Sequence, residues 1–216
     1  GEFQKEITNI LNYSSTIRLA KMAKEMGVKR FVYASTQSLY GISKSDSELE
    51  EDTSKKNPIT SYAESKWKSE LELKRLASDD FKINFFNSSK VFGPSPRLRC
   101  DIVFNSFVAS AFTTGSIEIL SDGTPWRPVV HIDDVCSAFI AGLIAPKEII
   151  NGQAFNVGIK NGNYNVRDLA EAAAKAVPGS KLKFLNEHTD PRSYKVSFRK
   201  IQIWKKIYTL MHRIQM

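Results

Sequence analysis

Apolar residues recur near helical spacing from the first turns of the chain: Ile7, Ile10, Leu11, Ile17, Ala20 and Ala23 predict an amphipathic helix over 5–26, stopped by Gly27. Phe31-Val32-Tyr33-Ala34 follows as an uninterrupted apolar run, the pattern of a strand buried in a parallel sheet. Residues 41–57 are polar and charged and read as a surface loop. A helix over 61–77 comes next, entered through Asn57-Pro58-Ile59-Thr60-Ser61, with Trp67, Leu71 and Leu73 or Leu76 turned to the core. Phe81-Lys82-Ile83-Asn84-Phe85-Phe86 is the second strand. Helix, strand, helix, strand in this order implies right-handed crossovers and a parallel α/β sheet.

After Pro94 the pattern changes. A helix at about 101–113, a short strand Ile117–Leu120 and a turn at Asp122-Gly123 lead to Trp126–His131. Asp133 and Asp134 then cap a helix running to about 145. A strand over Ala154–Gly158 precedes a helix at 166–177, capped by Asn165 and ended by Pro178-Gly179. The last stripe, Ile203, Ile207, Leu210 and Ile214 with Trp204, Tyr208 and Met211 beside it, reads as a C-terminal helix packed on the body. A basic amphipathic helix on a membrane surface, or an unpaired terminus, is the alternative.

In such sheets ligands lie beyond the carboxyl ends of the strands. Ser35-Thr36 and Ser88-Ser89 occupy those ends, so both should face one crevice. Tyr62 and Lys66 stand four residues apart at the start of the helix that follows the first strand, and so share a face. An ammonium beside a phenol stabilises the phenolate and lowers a pKa of about 10. A Thr36 hydroxyl brought to the same place would hold a substrate hydroxyl against that phenolate. Tyr40 and Lys44 repeat the spacing in a polar, turn-like stretch, which makes that second match accidental.

Composition narrows the field. The 216 residues, 42% hydrophobic and 25% charged, suit a globular protein, and no apolar run reaches the roughly 20 residues of a membrane span. The net charge of +8 is uneven: residues 181–216 hold nine Lys/Arg against Glu187 and Asp190, leaving the body about neutral. That is no platform for nucleic acid. Cys100 and Cys136 lack partners at metal-ligand spacing, the usage of reduced thiols in a cytoplasmic protein.

These pieces together resemble the extended short-chain dehydrogenase/reductase family, in its NAD-dependent nucleotide-sugar epimerase/dehydratase group. The resemblance covers about residues 6–200. It is carried by Gly27 to Gly41, Ser61-Tyr62-Ala63-Glu64-Ser65-Lys66, Val91-Phe92-Gly93-Pro94, Asp122 to Asp134, Phe155-Asn156-Val157-Gly158 and Asp190 to Val196. It implies an α/β fold: an incomplete Rossmann-like parallel sheet with helices on both faces, plus a small α/β substrate-binding portion. Residues 4–95 would be the C-terminal part of the NAD(P)-binding domain. Residues 96–216 would mostly bind substrate, with 126–158 returning to the core.

The resemblance also implies roles. Tyr62 is the acid/base; Lys66 holds the cofactor ribose and lowers the Tyr62 pKa; Thr36 positions the sugar hydroxyl. Ser35 and Ser89 lie near the nicotinamide. Arg127 and Arg192 match positions that bind the nucleotide diphosphate, with Arg97 a weaker candidate and Arg99 read as a surface charge. His131 is expected to be structural. The cofactor is NAD or NADP, if the missing N-terminal half is supplied; the partner is a nucleotide-sugar substrate, with a homodimer expected and neither nucleic acid nor membrane.

Two departures stand out. The family's glycine-rich phosphate turn is absent, since Gly27, the first glycine after Gly1, follows a helix instead of opening one. Asn87-Ser88 and Lys90 replace the Arg-Pro and Asn usual before the Gly-Pro turn. Gln37-Ser38, where 4,6-dehydratases of the family carry an acidic pair, point to a 4-epimerase acting on a sugar such as UDP-glucose. A ketoreductase is the alternative within the family; a catalytically inactive fragment, pairing with a chain that supplies the missing half, is the alternative outside it.

Overall fold

The computed structural model describes residues 4–43, 47–187 and 193–204. Helix α1 (Lys5–Asn9), a π-helical turn (Ile10–Ser14) and α2 (Ser15–Glu25) run as one helical stretch into strand β1 (Arg30–Thr36). Helix α3 (Ser61–Leu76) leads to β2 (Lys82–Ser88) and β3 (Lys90–Phe92), which are separated only by Ser89. Then come α4 (Val103–Thr114), β4 (Ser116–Ile119), β5 (Trp126–His131), α5 (Ile132–Ile144), α6 (Lys147–Ile150) and β6 (Ala154–Val157). The described elements end with β7 (Asn163–Asn165), α7 (Val166–Ala176), β8 (Lys181–Phe184) and a helical turn over 199–204.

Strands β1, β2 and β6 form a parallel sheet in that order, with Tyr33 opposite Phe85 and Ser35 opposite Asn87. Both faces are covered. Phe85 packs with Tyr33, Ile17 and Leu73 under α2 and α3, while Phe86 packs with Phe155, Ala138 and Trp204 on the other face. This explains why the strands read as solid apolar runs without alternation. The chain forks at Ser89: β2 stays with β6, whereas β3 pairs with β5, which also takes β7 antiparallel. A separate β4–β8 pair packs with α4 and α7 around Phe107, Ile117, Ile119 and Leu169. The fold is α/β with parallel sheets flanked by helices, as the pattern predicts.

Several expectations need correction. Ile7, Ile10 and Leu11 are exposed, so the first helix buries only its second half through Ile17 and Ala20. On α3, Leu71 is exposed, and the buried face is Ala63, Ser65, Ser69, Glu70 and Leu73. Polar side chains enter the buried face because this helix packs against β1 beside its carboxyl end. The N-cap of α5 is His131, whose Nδ1 accepts from the Asp133 N–H at 3.3 Å. Asp133 and Asp134 sit in the first turn, where their charge favours the helix dipole.

The segment 41–57 is also more than a surface loop. Leu49 bridges Val196, and the buried Glu51 accepts from the Asn156 N–H at 2.6 Å. Gly41 is required where that loop departs: its φ is +70°, and a Cβ there would stand 1.9 Å from the Asn57 carbonyl oxygen. At the chain's far end, Trp204 and Ile201 are buried while Ile203 is exposed. The helical turn therefore packs on the body by a different face from the expected stripe. Ile207, Leu210 and Ile214 lie outside the described residues.

Candidate active site

Beyond the carboxyl ends of β1 and β2 opens a cleft of about 910 Å³. Ser35, Thr36, Tyr62, Ser88, Ser89 and Arg127 all line it. Thr36 reaches it as the last residue of β1, its hydroxyl oxygen accepting from the Ser38 N–H at 3.2 Å. Tyr62 reaches it from the first turn of α3, fixed by Thr60, which caps the helix through the Ala63 N–H at 3.2 Å. The two side chains line the same cleft, where the Thr36 hydroxyl favours the Tyr62 phenolate.

Lys66 sits one turn along α3, but its amine goes elsewhere. Nζ donates to the Ala34 carbonyl oxygen at 2.9 Å, lies 4.9 Å over the Tyr33 ring centre and stands 5.9 Å from the Tyr62 ring centre. The direction of that carbonyl follows from the strand. Lys29 O accepts from the Lys82 N–H at 2.9 Å, so alternate residues from Lys29 bond to β2. Ala34 must therefore face the opposite edge of β1, which no strand pairs among the described residues.

The electrostatics correct one expectation. Tyr62 is 40% exposed, yet its pKa stands above the ordinary phenol value, because desolvation on the side that packs into the cleft disfavours the phenolate; the Thr36 hydroxyl and the Arg99 charge offset only part of this. Burial likewise pushes the Lys66 amine down. Lys66, held at the Ala34 carbonyl, does not lower the Tyr62 pKa in this arrangement. Tyr40, the other tyrosine with a lysine four residues on, is buried and donates its hydroxyl to Asn156 Oδ1 at 3.0 Å. Lys44 lies outside the described residues.

The two candidate arginines after the Gly-Pro turn exchange places. Arg99 lines the cleft, paired with Asp101 through Nε at 3.0 Å, and its charge is felt at Tyr62. Arg97 is exposed and is not among the lining residues. Arg127 lines the cleft and donates to the Trp126 carbonyl at 2.8 Å. Arg192 lies outside the described residues. Gln37 is buried and donates to the carbonyl oxygens of Asn87 and Val157, at 3.0 and 3.4 Å. Tied to both neighbouring strands, it is no acid or base.

Sequence reasoning missed the polar layer behind this wall. Glu70 is buried on α3 and Tyr33 carries Lys66 on its ring. Spacing could have found Glu70, which follows Lys66 by four residues and Tyr62 by eight. Among the described residues no cluster of His, Cys, Asp and Glu could hold a metal ion, and no helix is long and apolar enough to cross a membrane. Cys100 and Cys136 are free and exposed.

Comparison with known proteins bears on this geometry. Residues 4–158 match the family model described as NAD dependent epimerase/dehydratase family. A UDP-glucuronate 4-epimerase of Thermodesulfobacterium geofontis is 28% identical over 202 residues, covering 91% of this chain and 58% of that protein. A UDP-glucose 4-epimerase of Mycolicibacterium smegmatis is 31% identical over 173 residues, covering 77% and 52%. The chain thus spans a little over half the length of these two curated relatives. Among solved structures, the UDP-glucose 4-epimerase of Thermotoga maritima with UDP-glucose superposes with a TM-score of 0.81 at 21% identity, over 94% of this chain and 65% of that one. The UDP-glucuronic acid 4-epimerase of Bacillus cereus, with UDP-glucuronic acid and NAD, gives 0.74 at 22%, over 89% and 60%.

Proposed function

Since the chain belongs to the NAD-dependent epimerase/dehydratase family, we propose that it forms the acid/base and sugar-binding part of a nucleotide-sugar 4-epimerase. The observation that carries this reading is the convergence of Thr36, from the end of β1, and Tyr62, from the first turn of α3, on one cleft. Thr36 and Tyr62 together grip one sugar hydroxyl. Tyr62 takes its proton as the carbon beneath is oxidised, and returns it when the keto group is reduced from the other face. With its pKa raised, Tyr62 rests protonated at neutral pH. The base role therefore needs a cation drawn up to the phenol, and Lys66 is the group on the same helix face that can leave the Ala34 carbonyl to do so.

The residues present fit the nicotinamide end of NAD. Ser35 and Ser89 bring buried hydroxyls without hydrogen-bond partners among the described residues to the cleft, beside Tyr62. When bound, the nicotinamide supplies acceptance and return of a hydride. Arg127 is suited to the nucleotide diphosphate through its planar, charged fork. Gln37 and Ser38 supply no acid for eliminating water, which favours epimerisation over 4,6-dehydration. A ketoreductase uses the same trio and is the second reading, favoured by the protonated resting state of Tyr62.

The test is incubation of the full-length protein with NAD and UDP-glucose. A 4-epimerase yields the C4-epimeric UDP-sugar, and Tyr62→Phe abolishes that product while circular dichroism stays unchanged. A 4-keto-6-deoxy product alone, or full activity in Tyr62→Phe, contradicts the proposal.

A further inference from the structure

Strand β3 begins with Lys90, which the acid/base chemistry does not use and which replaces the Asn usual before the Gly-Pro turn. Register fixes the side from which it projects. In the parallel β3–β5 pair Lys90 lies opposite Val129, and Phe92 opposite His131. Partners across a ladder share a face, as do alternate residues along each strand. Lys90, Phe92, Arg127, Val129 and His131 therefore stand on one side. That side faces α4: Phe92 meets Phe104 edge-on at 5.0 Å, and Val129 packs in one cluster with Phe107. Val91 and Val130 point the other way, into the cluster that holds Ala138 of α5.

The cleft opens on the α4 side, where Ser106 and Phe107 line it together with Lys90 and Arg127. Arg127 comes two residues before Val129, the partner of Lys90. Two residues along a strand and one step between strands set the two side chains' origins about 8 Å apart. Both are long, so both can reach one group held between them. None of the five side chains on this face is acidic. The two carboxylates that line the cleft are engaged by other cations: Asp101 by Arg99 through Nε at 3.0 Å, and Glu118 by Lys183 at 3.0 Å.

We infer that Lys90 is a substrate-binding residue, which with Arg127 forms a two-point cation clamp on the diphosphate of the nucleotide sugar. The sugar and the base of UDP-glucose are neutral, whereas the diphosphate carries negative charge that two cations on one face can meet. Arg127 brings a flat fork that matches a pair of phosphate oxygens. Lys90 brings a compact charge on a flexible stem, able to follow the oxygens from the other strand. An amide in its place would give a hydrogen bond without the charge. The inference rests on the nucleotide-sugar reading and adds to it a binding residue peculiar to this chain.

Calorimetry of UDP binding to the full chain tests it. Lys90→Gln should weaken UDP about 10- to 100-fold, the loss of one hydrogen bond to a charged group. Lys90→Asn, which restores the usual amide and so guards against loss of the fold, should lose as much. Lys90→Arg keeps the charge and should recover most of the affinity. Binding should also fall less steeply with added salt in Lys90→Gln than in the wild type, because one screened attraction is gone. Unchanged UDP affinity in Lys90→Gln and Lys90→Asn overturns the clamp. A loss seen with UDP-glucuronate but not with UDP overturns it too, and assigns Lys90 to the sugar carboxylate. Wild-type protein that binds no UDP overturns the nucleotide-sugar reading and the clamp with it, an outcome distinct from tight binding that ignores residue 90.

Discussion

The cleft wall made by β1, β2 and α3 keeps the hydroxyls of β1 inside the fold, Ser35 and Thr36 being 5% and 7% exposed with Glu70 buried on α3, while Tyr62 at its edge is 40% exposed. The wall opposite, from residues 99–107 and β5, carries its charge outside. Arg99 and Asp101 have side chains 67% and 66% exposed and are spent on each other. A buried polar atom is held by its neighbours and is costly to move, whereas an exposed ion pair contributes about 0–1 kcal/mol and is screened by salt. The buried hydroxyls of the first wall are therefore the more constrained, and the exposed pair of the second the easier to rearrange.

Substitutions on the two walls should differ accordingly. The largest effect belongs to Tyr62→Phe, which removes the proposed proton-transfer group. Turnover of UDP-glucose by the full-length protein with NAD should fall about 10²- to 10⁴-fold, with the urea midpoint unchanged.

Glu70→Gln comes next. A carboxyl raised from 4.5 to about 7 in the folded state stabilises the fold fully below its unfolded pKa and loses that contribution as pH rises through about 7. The Gln variant should match the wild type at about pH 4, below the unfolded pKa, and exceed it by up to about 3 kcal/mol at pH 8. Urea unfolding at the two pH values measures this, and a gain confined to the lower pH would reverse the assignment. On the opposite wall, Arg127→Ala should weaken binding of UDP by about 1.5–3 kcal/mol, the range of a hydrogen bond to a charged group, as read by calorimetry.

The smallest effects belong to the exposed arginines. Arg99→Ala should change stability by under about 1 kcal/mol and raise the Tyr62 pKa, because the favourable charge is lost. Arg97→Ala should change neither. An Arg97→Ala variant with altered Tyr62 titration would mean that residues 97–101 lie differently in solution.

The first wall was largely legible in the sequence. Solid apolar runs marked the strands, and the hydroxyls at their ends, with a Tyr and Lys four apart, marked the crevice. Periodicity located α3 but misjudged its face, because Ser65, Ser69 and Glu70 are polar residues buried beneath the site while Leu71 is exposed. Spacing set Lys66 on the same face as Tyr62. It could not say that the amine would find the unpaired carbonyl of Ala34, a long-range consequence of strand order. The second wall was harder to read. Strand β8 lies in the basic stretch Lys181–Phe184, where alternating lysines read as a charged tail, yet it pairs in register with Ser116–Ile119. Whether Arg97 or Arg99 lines a cleft depends on the path of a loop, which residue type leaves open.

The pairing of Thr36 with Tyr62 is tested most directly by carbon-13 NMR titration of ζ-labelled tyrosine in the wild type and Thr36→Val. Tyr62 should titrate above the ordinary phenol value of about 10 in the wild type, and higher still in Thr36→Val, where the hydroxyl that favours the phenolate is gone. An unshifted Tyr62 with the same midpoint in both proteins would contradict the arrangement.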